Sequence, residues 1–397
     1  MTTYNYKYLI IGGGMAAASA AQSICEKCKK GDIGLISREE YLPYARPPLS
    51  KALWKGERTL EDIDLGTGNL GLEMHLGRTV TKIDAYNHKV YDDQDNEYSY
   101  LKLLLATGGT PKKIPGVDVP GIIYYRTKAD YIKLKDQVDK NNSFGIIGGG
   151  FIGSEIAAAI KMYKPSAEVT MIFLEDGIGD RLFPRSLSKF LNDYYEEKGV
   201  NVHPGEMVSN ITKNGEFFIV KTKSGKEFKF NTVVAGLGIK PNIELAEAAN
   251  LKTQNNGIVV NRYLYTQDMD IFAAGDIVYY HNYILREDLR VEHEDVAWTT
   301  GEYAGKNMTG AGLVYDVLPY FYSDLFDYGY EAVGIIKSDM DILEDWKEPY
   351  EEGVIYYLEQ GKVKGVLLWN VWEKVEDAKK LLAEPRTFKK EDLKGRI

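Results

Sequence analysis

The sequence predicts an α/β fold with two doubly wound units and a C-terminal α+β region, and three observations predict it. The first is Phe144 to Ile160, FGIIGGGFIGSEIAAAI, where a short apolar run enters three glycines, then Gly153, then an alanine-rich helix. Gly148, Gly150 and Gly153 stand at G-x-G-x-x-G spacing. In such a turn the first glycine makes the bend, the second admits a pyrophosphate to the backbone, and the third lets helix pack on strand. The second observation is an echo, Tyr8 to Ile24, YLIIGGGMAAASAAQSI, in which Gly12, Gly14 and Ala17 match Gly148, Gly150 and Gly153. The third is a change of pattern from about Leu313. Tyr328 to Ile336 alternates like a strand, and Val354–Leu358 and Val363–Trp369 read as a hairpin around Gln360-Gly361. Glu373 to Leu382 then reads as an amphipathic helix with Val375, Ala378, Leu381 and Leu382 inward.

A helix N-terminus behind a glycine turn offers unpaired N–H groups and the positive end of a dipole to a phosphate. The duplicated turn therefore predicts two Rossmann-like dinucleotide-binding domains. Two loops imply two dinucleotides, a flavin and a nicotinamide, which together relay a hydride.

Composition sets the bounds. The 397 residues suffice for two or three domains with sizeable cores. The formal charge of −9 argues against a nucleic-acid partner, which would want a basic face. Lysines near the C-terminus (Lys379, Lys380, Lys389, Lys390, Lys394) alternate with Glu384, Glu391 and Asp392, as on a solvated helix face. The two cysteines, Cys25 and Cys28, form C-x-x-C late in the first loop helix, about three turns from its phosphate end. That is remote from a flavin, and two cysteines make no disulfide scaffold, so a reducing compartment is expected. Tyr8 to Cys25 is uncharged, but three glycines in its middle suit a strand–turn–helix better than a signal helix. No run reaches the length of a membrane span. A cytoplasmic protein without a metal site is expected.

Along the chain, Ile33 to Ser37 reads as the second strand, at whose end an acidic residue is expected to meet a ribose. Ser37-Arg38-Glu39-Glu40 leaves the acceptor open between neighbours; Glu39 is preferred because it follows Gly12 at the separation by which Glu175 follows Gly148. Leu42 to Lys51, LPYARPPLSK, holds Arg46 and Lys51 on either side of two stiffening prolines. A rigid loop with two cations suits a pyrophosphate and a flavin ring.

With Leu53-Trp54 behind it, this stretch resembles the flavin loop of apoptosis-inducing factor and the ferredoxin and rubredoxin reductases related to it. The resemblance implies a glutathione-reductase-like fold in which Arg46 and Lys51 contact FAD and Lys51 pairs with Glu155 beside the flavin. The glutathione-reductase branch carries a redox cysteine pair in this region and this chain has none, so electrons are expected to leave the flavin without a protein disulfide. LLLATGGT resembles the family's A-T-G motif (Ala106, Thr107, Gly108), where the chain leaves the FAD domain. Lys112 to Gly121 reads as a linker, with Pro115 and Pro120 inside it. VVAGLGIKPN resembles the exit from the nicotinamide domain and includes Gly238. Val169 to Leu174 is a buried strand ending at Glu175, a carboxylate that accepts hydrogen bonds from a ribose 2′-OH and repels a 2′-phosphate. NADH is therefore the expected donor, with Arg181 the one nearby cation that leaves NADPH open.

IFAAGD resembles the return to the FAD domain, with Asp276 on the ribityl chain. VEHEDVAWTTGEYAGKNMTG places Glu292 and His293 against FAD by the same resemblance, and Glu294 stands where the reductases usually carry Trp. PYFYSDLFDYGYEAVG resembles the C-terminal domain of apoptosis-inducing factor, with Tyr322 in place of a Trp. The expected division is FAD domain 1–117 and 243–312, NADH domain 118–242, and an α+β interface domain 313–397 suited to a homodimer. Lys51 and Glu155 are the expected catalytic residues, Lys51 stabilising negative charge on the ring and Glu155 fixing Lys51. The expected activity is FAD-dependent oxidation of NADH, hydride passing to flavin N5. The expected electron acceptor is a small redox protein such as ferredoxin or rubredoxin, a quinone or dioxygen. The alternative is a redox-gated interaction protein that keeps a long-lived complex of reduced FAD with NAD.

Overall fold

A computed structural model, describing residues 2–397, is mixed α/β and divides into two compact units. The first comprises the chain up to Arg46, Leu60–Thr110 and Lys240–Pro319; the second comprises Pro47–Thr59, Pro111–Ile239 and Tyr320–Ile397.

In the first unit the parallel core of the sheet runs Glu73–His75, Ile33–Ile36, Thr3–Ile11, Glu97–Leu105. The order third, second, first, later is that of a dinucleotide-binding half. Val80–Asp84 and Lys89–Asp92 add an antiparallel pair, and Ile271–Ala273 joins Glu97–Leu105 in parallel. The glycine turn follows the central strand, whose Leu9 and Ile10 are fully buried. Helix Met15–Cys25 leaves that turn and packs on helix Glu294–Met308. A Cβ on Gly301 would stand 2.3 Å from the Ala16 carbonyl oxygen, and one on Gly305 2.6 Å from that of Ala20. The two backbones therefore meet with no side chain between them.

The second unit repeats the order. Val200–His203, Glu168–Ile172, Ser143–Ile147, Thr232–Ala235 and Ile123–Tyr124 form an all-parallel sheet. The antiparallel insert is repeated too, here as Val208–Asn214, Phe217–Thr222 and Glu227–Phe230. The C-terminal segment folds as a five-stranded antiparallel sheet, from Tyr320–Leu325 to Lys362–Trp369, with helix Val375–Ala383 on it.

Three expectations are corrected. Helix Met15–Cys25 ends at Cys25, so Cys28 lies beyond it, and burial raises the pKa of both thiols. Lys112–Gly121 is not a free linker. Ile114 and Val117, on either side of Pro115, enter the core with Ile147, Phe218 and Phe230, because these apolar residues have a sheet face to cover. In the C-terminal helix Ala378, Leu381 and Leu382 are buried as expected, while Val375 at its first turn is only half-buried.

Candidate functional site

The two glycine turns fold alike. Gly12 has φ +131° and Gly148 φ +115°, where a side chain is strained. A Cβ on Gly12 would stand 2.0 Å from the Ala106 carbonyl oxygen, and one on Gly148 2.5 Å from that of Gly236. Each turn is thus pressed against the segment leaving the fourth strand, Ala106-Thr107-Gly108 in one unit and Gly236-Leu237-Gly238 in the other. The third glycine position differs. A Cβ on Gly153 would lie 1.9 Å from the Gly148 oxygen, whereas Ala17 carries its methyl group fully buried.

Gly14 and Gly150 are the N-caps of the loop helices, and both helices lack a side-chain cap and an acidic residue in the first turn. Their first amides and positive dipole ends are left to a ligand. A Cβ on Gly108, Gly150 or Gly238 would meet nothing within 4 Å. Open space beside an uncapped helix start fits a diphosphate in each unit.

In the first unit Glu39 is half-buried while Arg38 and Glu40 are exposed. Its carboxylate accepts from Arg46 Nη2 at 2.5 Å and from the Tyr44 hydroxyl at 2.5 Å. Arg46 Nη2 also lies 4.0 Å from where a Gly14 Cβ would stand, which sets the guanidinium at the first turn. Burial works against the Arg46 charge, but Tyr44, Glu39 and Asp276 outweigh it and raise its pKa. Asp276 is buried, and the Gly275 amide before it donates to Thr300 Oγ1 at 2.9 Å. His293 caps the start of helix Glu294–Met308; burial lowers its pKa to about 4 against the pull of Asp276, so it is neutral at pH 7. Glu292 accepts from Arg290 at 2.6 Å, and Arg290 also donates to the Asp276 carbonyl at 3.2 Å. Thr107 gives its hydroxyl to the Asn242 carbonyl at 2.6 Å, and Asn242 Nδ2 donates to the Thr107 carbonyl at 2.9 Å. That reciprocal pair fixes the A-T-G turn.

In the second unit Glu175 follows strand Glu168–Ile172 and accepts from Arg181 at 2.7 Å. Arg181 is largely exposed, so its hold on that carboxylate is weak.

The second unit also buries a charged pair. Lys51 Nζ donates to Glu155 Oε1 at 2.6 Å, with Lys51 11% and Glu155 4% exposed. Ser323 Oγ donates to Oε1 and Ser50 Oγ to Oε2, each at 2.5 Å. Tyr322, next to Ser323, places its ring 5.4 Å from the Lys51 ammonium. A buried carboxylate is tolerated only when its lone pairs are filled, and three donors fill these. Around it burial holds the Tyr195 and Tyr330 hydroxyls protonated, their pKa values raised further by the Glu155 charge. Ser50, Ser323, Tyr44 and Arg290 escaped the sequence reading. Ser50 and Ser323 lie within the conspicuous segments LPYARPPLSK and PYFYSDLFDYGYEAVG, yet a serine has no spacing that reveals its partner.

Comparison with known proteins gives two family matches. Residues 6–301 match the profile of the pyridine nucleotide-disulphide oxidoreductases. Residues 340–384 match the C-terminal profile of mitochondrion-associated apoptosis-inducing factor. The chain is 34% identical to apoptosis-inducing factor 1, mitochondrial, of Dictyostelium discoideum, over 98% of this chain and 80% of that protein. It is 32% identical to monodehydroascorbate reductase 3 of Arabidopsis thaliana, over 92% and 89%. Among solved structures it is similar to the reductase in a covalent putidaredoxin reductase–putidaredoxin complex, at 25% identity and a TM-score of 0.87, covering 99% of this chain and 96% of that one.

Proposed function

Because the chain belongs to the pyridine nucleotide-disulphide oxidoreductase family, whose cofactors are FAD and NAD(H), we propose that it is an FAD-dependent NADH oxidoreductase working without a protein disulfide. When bound, the cofactors supply hydride transfer from the nicotinamide to the flavin and electron release from the flavin. In this reading residues 1–117 and 243–312 hold FAD, 118–242 hold NADH, and 313–397 form an interface for a second copy.

The observation that carries the reading is the Lys51–Glu155 pair with its two serine donors. Lys51 presents a fixed cation that stabilises developing negative charge without reorganising at the moment of reaction. Glu155 holds Lys51 in one position. Arg46 neutralises diphosphate at the first turn, Asp276 meets a polyol, and neutral His293 offers one donor and one acceptor. Glu292 positions Arg290 and, with His293, stands against FAD. Glu175 takes a ribose hydroxyl and disfavours a 2′-phosphate, which makes NADH the donor. Electrons then pass to a ferredoxin- or rubredoxin-type carrier, a quinone or dioxygen; the likeness to a reductase solved with putidaredoxin supports the carrier. The free thiols of Cys25 and Cys28 suit a reducing compartment, and we place the protein in the cytoplasm.

The test is anaerobic titration of the purified protein with NADH and separately with NADPH, followed by visible spectra and then admission of air. Bleaching by NADH with rapid recovery in air is the expected result. A protein without a flavin spectrum, or one bleached equally by NADPH, overturns the reading or its nicotinamide preference respectively.

A second reading rests on the C-terminal match over residues 340–384. The protein would be a redox-gated interaction protein whose reduced complex with NAD persists. A long-wavelength band that outlasts air exposure would select it.

A further inference from the structure

Lys51 is carried to Glu155 by the four-residue turn Pro47–Ser50, which holds itself together poorly. Its two prolines have no N–H to give. Its own bonds are long, the Ser50 hydroxyl donating to the Pro47 carbonyl at 3.4 Å and the Lys51 amide to the Pro48 carbonyl at 3.2 Å. An ammonium fixed in one place therefore needs support from outside the turn.

That support reaches the carbonyl groups on either side of Lys51. The Leu49 carbonyl accepts from the Trp54 indole N–H at 2.8 Å and from the Tyr125 hydroxyl at 2.5 Å. The Leu53 carbonyl accepts from the Tyr131 hydroxyl at 3.4 Å, and the Trp54 ring stands edge-on to Tyr131 with centroids 5.4 Å apart. Trp54 belongs to the short helix Ala52–Lys55 that directly follows Lys51, so its bond is local. Tyr125 is mounted elsewhere. It follows strand Ile123–Tyr124, and its amide donates to the Ala235 carbonyl at 3.4 Å. The next two amides, of Arg126 and Thr127, donate to Asp130 in the first turn of helix Lys128–Lys140, at 3.1 and 2.8 Å. Tyr125 is 4% exposed, and burial raises the pKa of its hydroxyl, which stays a donor.

We propose that Tyr125 is a positioning residue for the Lys51 ammonium. Its hydroxyl ties the Leu49 carbonyl to the parallel sheet, and the next two residues, Ser50 and Lys51, then meet the two oxygens of the one Glu155 carboxylate. Tyr125 acts only through Lys51, so the inference rests on Lys51 serving the flavin.

The test is Tyr125→Phe, which removes the hydroxyl, keeps the ring and leaves Leu49 its Trp54 donor, made in wild-type and in Lys51→Ala holoenzyme. In the wild-type background single-turnover reduction of the flavin by NADH should slow about tenfold, with the dissociation constant for NADH changed by a factor of about three or less. In the Lys51→Ala background the same substitution should change the rate by less than about twofold, since the group it positions is gone. Acylation of Lys51 by an N-hydroxysuccinimide ester, followed by peptide mass spectrometry, should quicken several-fold in Tyr125→Phe, while the exposed control Lys394 is labelled at the wild-type rate. Unchanged reduction in Tyr125→Phe beside a slowed Lys51→Ala, equal slowing in both backgrounds, or unchanged Lys51 acylation overturns the proposal. Unchanged reduction in Lys51→Ala overturns the role of Lys51 itself, and the proposal with it.

Discussion

Lys51 and Glu155 stand 104 residues apart in the chain, yet their charges meet at 2.6 Å in a setting nearly closed to water. An ion pair so buried adds little net stability, because desolvation offsets the attraction. Its value lies in holding one ammonium in one place.

Lys51→Ala should therefore slow reduction of the flavin by NADH by about 10²-fold, while the dissociation constant for NADH changes by a factor of about three or less. Stopped-flow absorbance under single-turnover conditions separates the two. Unchanged reduction kinetics would remove Lys51 from the chemistry.

Ser50 and Ser323 fill the remaining lone pairs of Glu155. Ser50→Ala and Ser323→Ala should each cost about 1–2 kcal/mol, as expected when a buried charged acceptor loses a donor. The double variant should depart from the sum, since both serve one carboxylate. Urea unfolding of the four proteins measures this, and strict additivity would mean the hydroxyls act independently.

Glu175→Arg should change the ratio of NADH to NADPH use by roughly tenfold or more toward NADPH. The variant exchanges a hydroxyl acceptor for a phosphate donor and leaves Arg181 without its partner. Steady-state kcat/KM for both donors is the measurement, and an unaltered ratio would count against Glu175 at the ribose.

Gly153→Ala should destabilise the second unit by about 1–3 kcal/mol or more and weaken NADH binding, because the added methyl meets a backbone oxygen that has nowhere to go. Ala17→Gly, at the matching position of the first unit, should leave NADH affinity untouched. Fluorescence titration of both variants tests the contrast.

The imidazole of His293 is lowered to about 4 from an ordinary 6.5. Between those values the unfolded chain binds a proton that the folded chain does not, so this residue makes stability fall as pH falls through that window. In His293→Gln the loss of urea-midpoint stability between about pH 7 and pH 5 should be smaller. Equal losses in both proteins would mean the ring is not held neutral by burial.

The doubly wound halves were legible because each is announced by a strand, a turn and a helix contiguous in the chain. The Gly12 and Gly148 turns could be read from spacing alone, since a close backbone approach demands glycine at fixed offsets. Lys51 with Glu155 was readable only through family resemblance, because no local pattern ties residues so distant. The serines on Glu155 were not readable for the same reason, and a hydroxyl has too many bland uses to stand out. Nor did the sequence reveal the antiparallel inserts, such as Val208–Asn214 with Phe217–Thr222, whose alternation is short and partly exposed. The apolar residues of Lys112–Gly121 misled in the other direction. Prolines suggested a tether, but Ile114 and Val117 had a core to enter.

Strand Ile271–Ala273 and helix Glu294–Met308 complete a unit that begins at the other end of the chain. During synthesis the first glycine turn leaves the ribosome long before Gly301 and Gly305 exist to cover its helix. The second unit's parallel sheet, whose strands all lie between Ile123 and Ala235, is fully translated before them. The helix behind the first glycine turn must therefore wait for its cover. A translation arrest before Glu294 would leave both units incomplete, the first without the helix over its glycine turn and the second without Tyr320–Ile397.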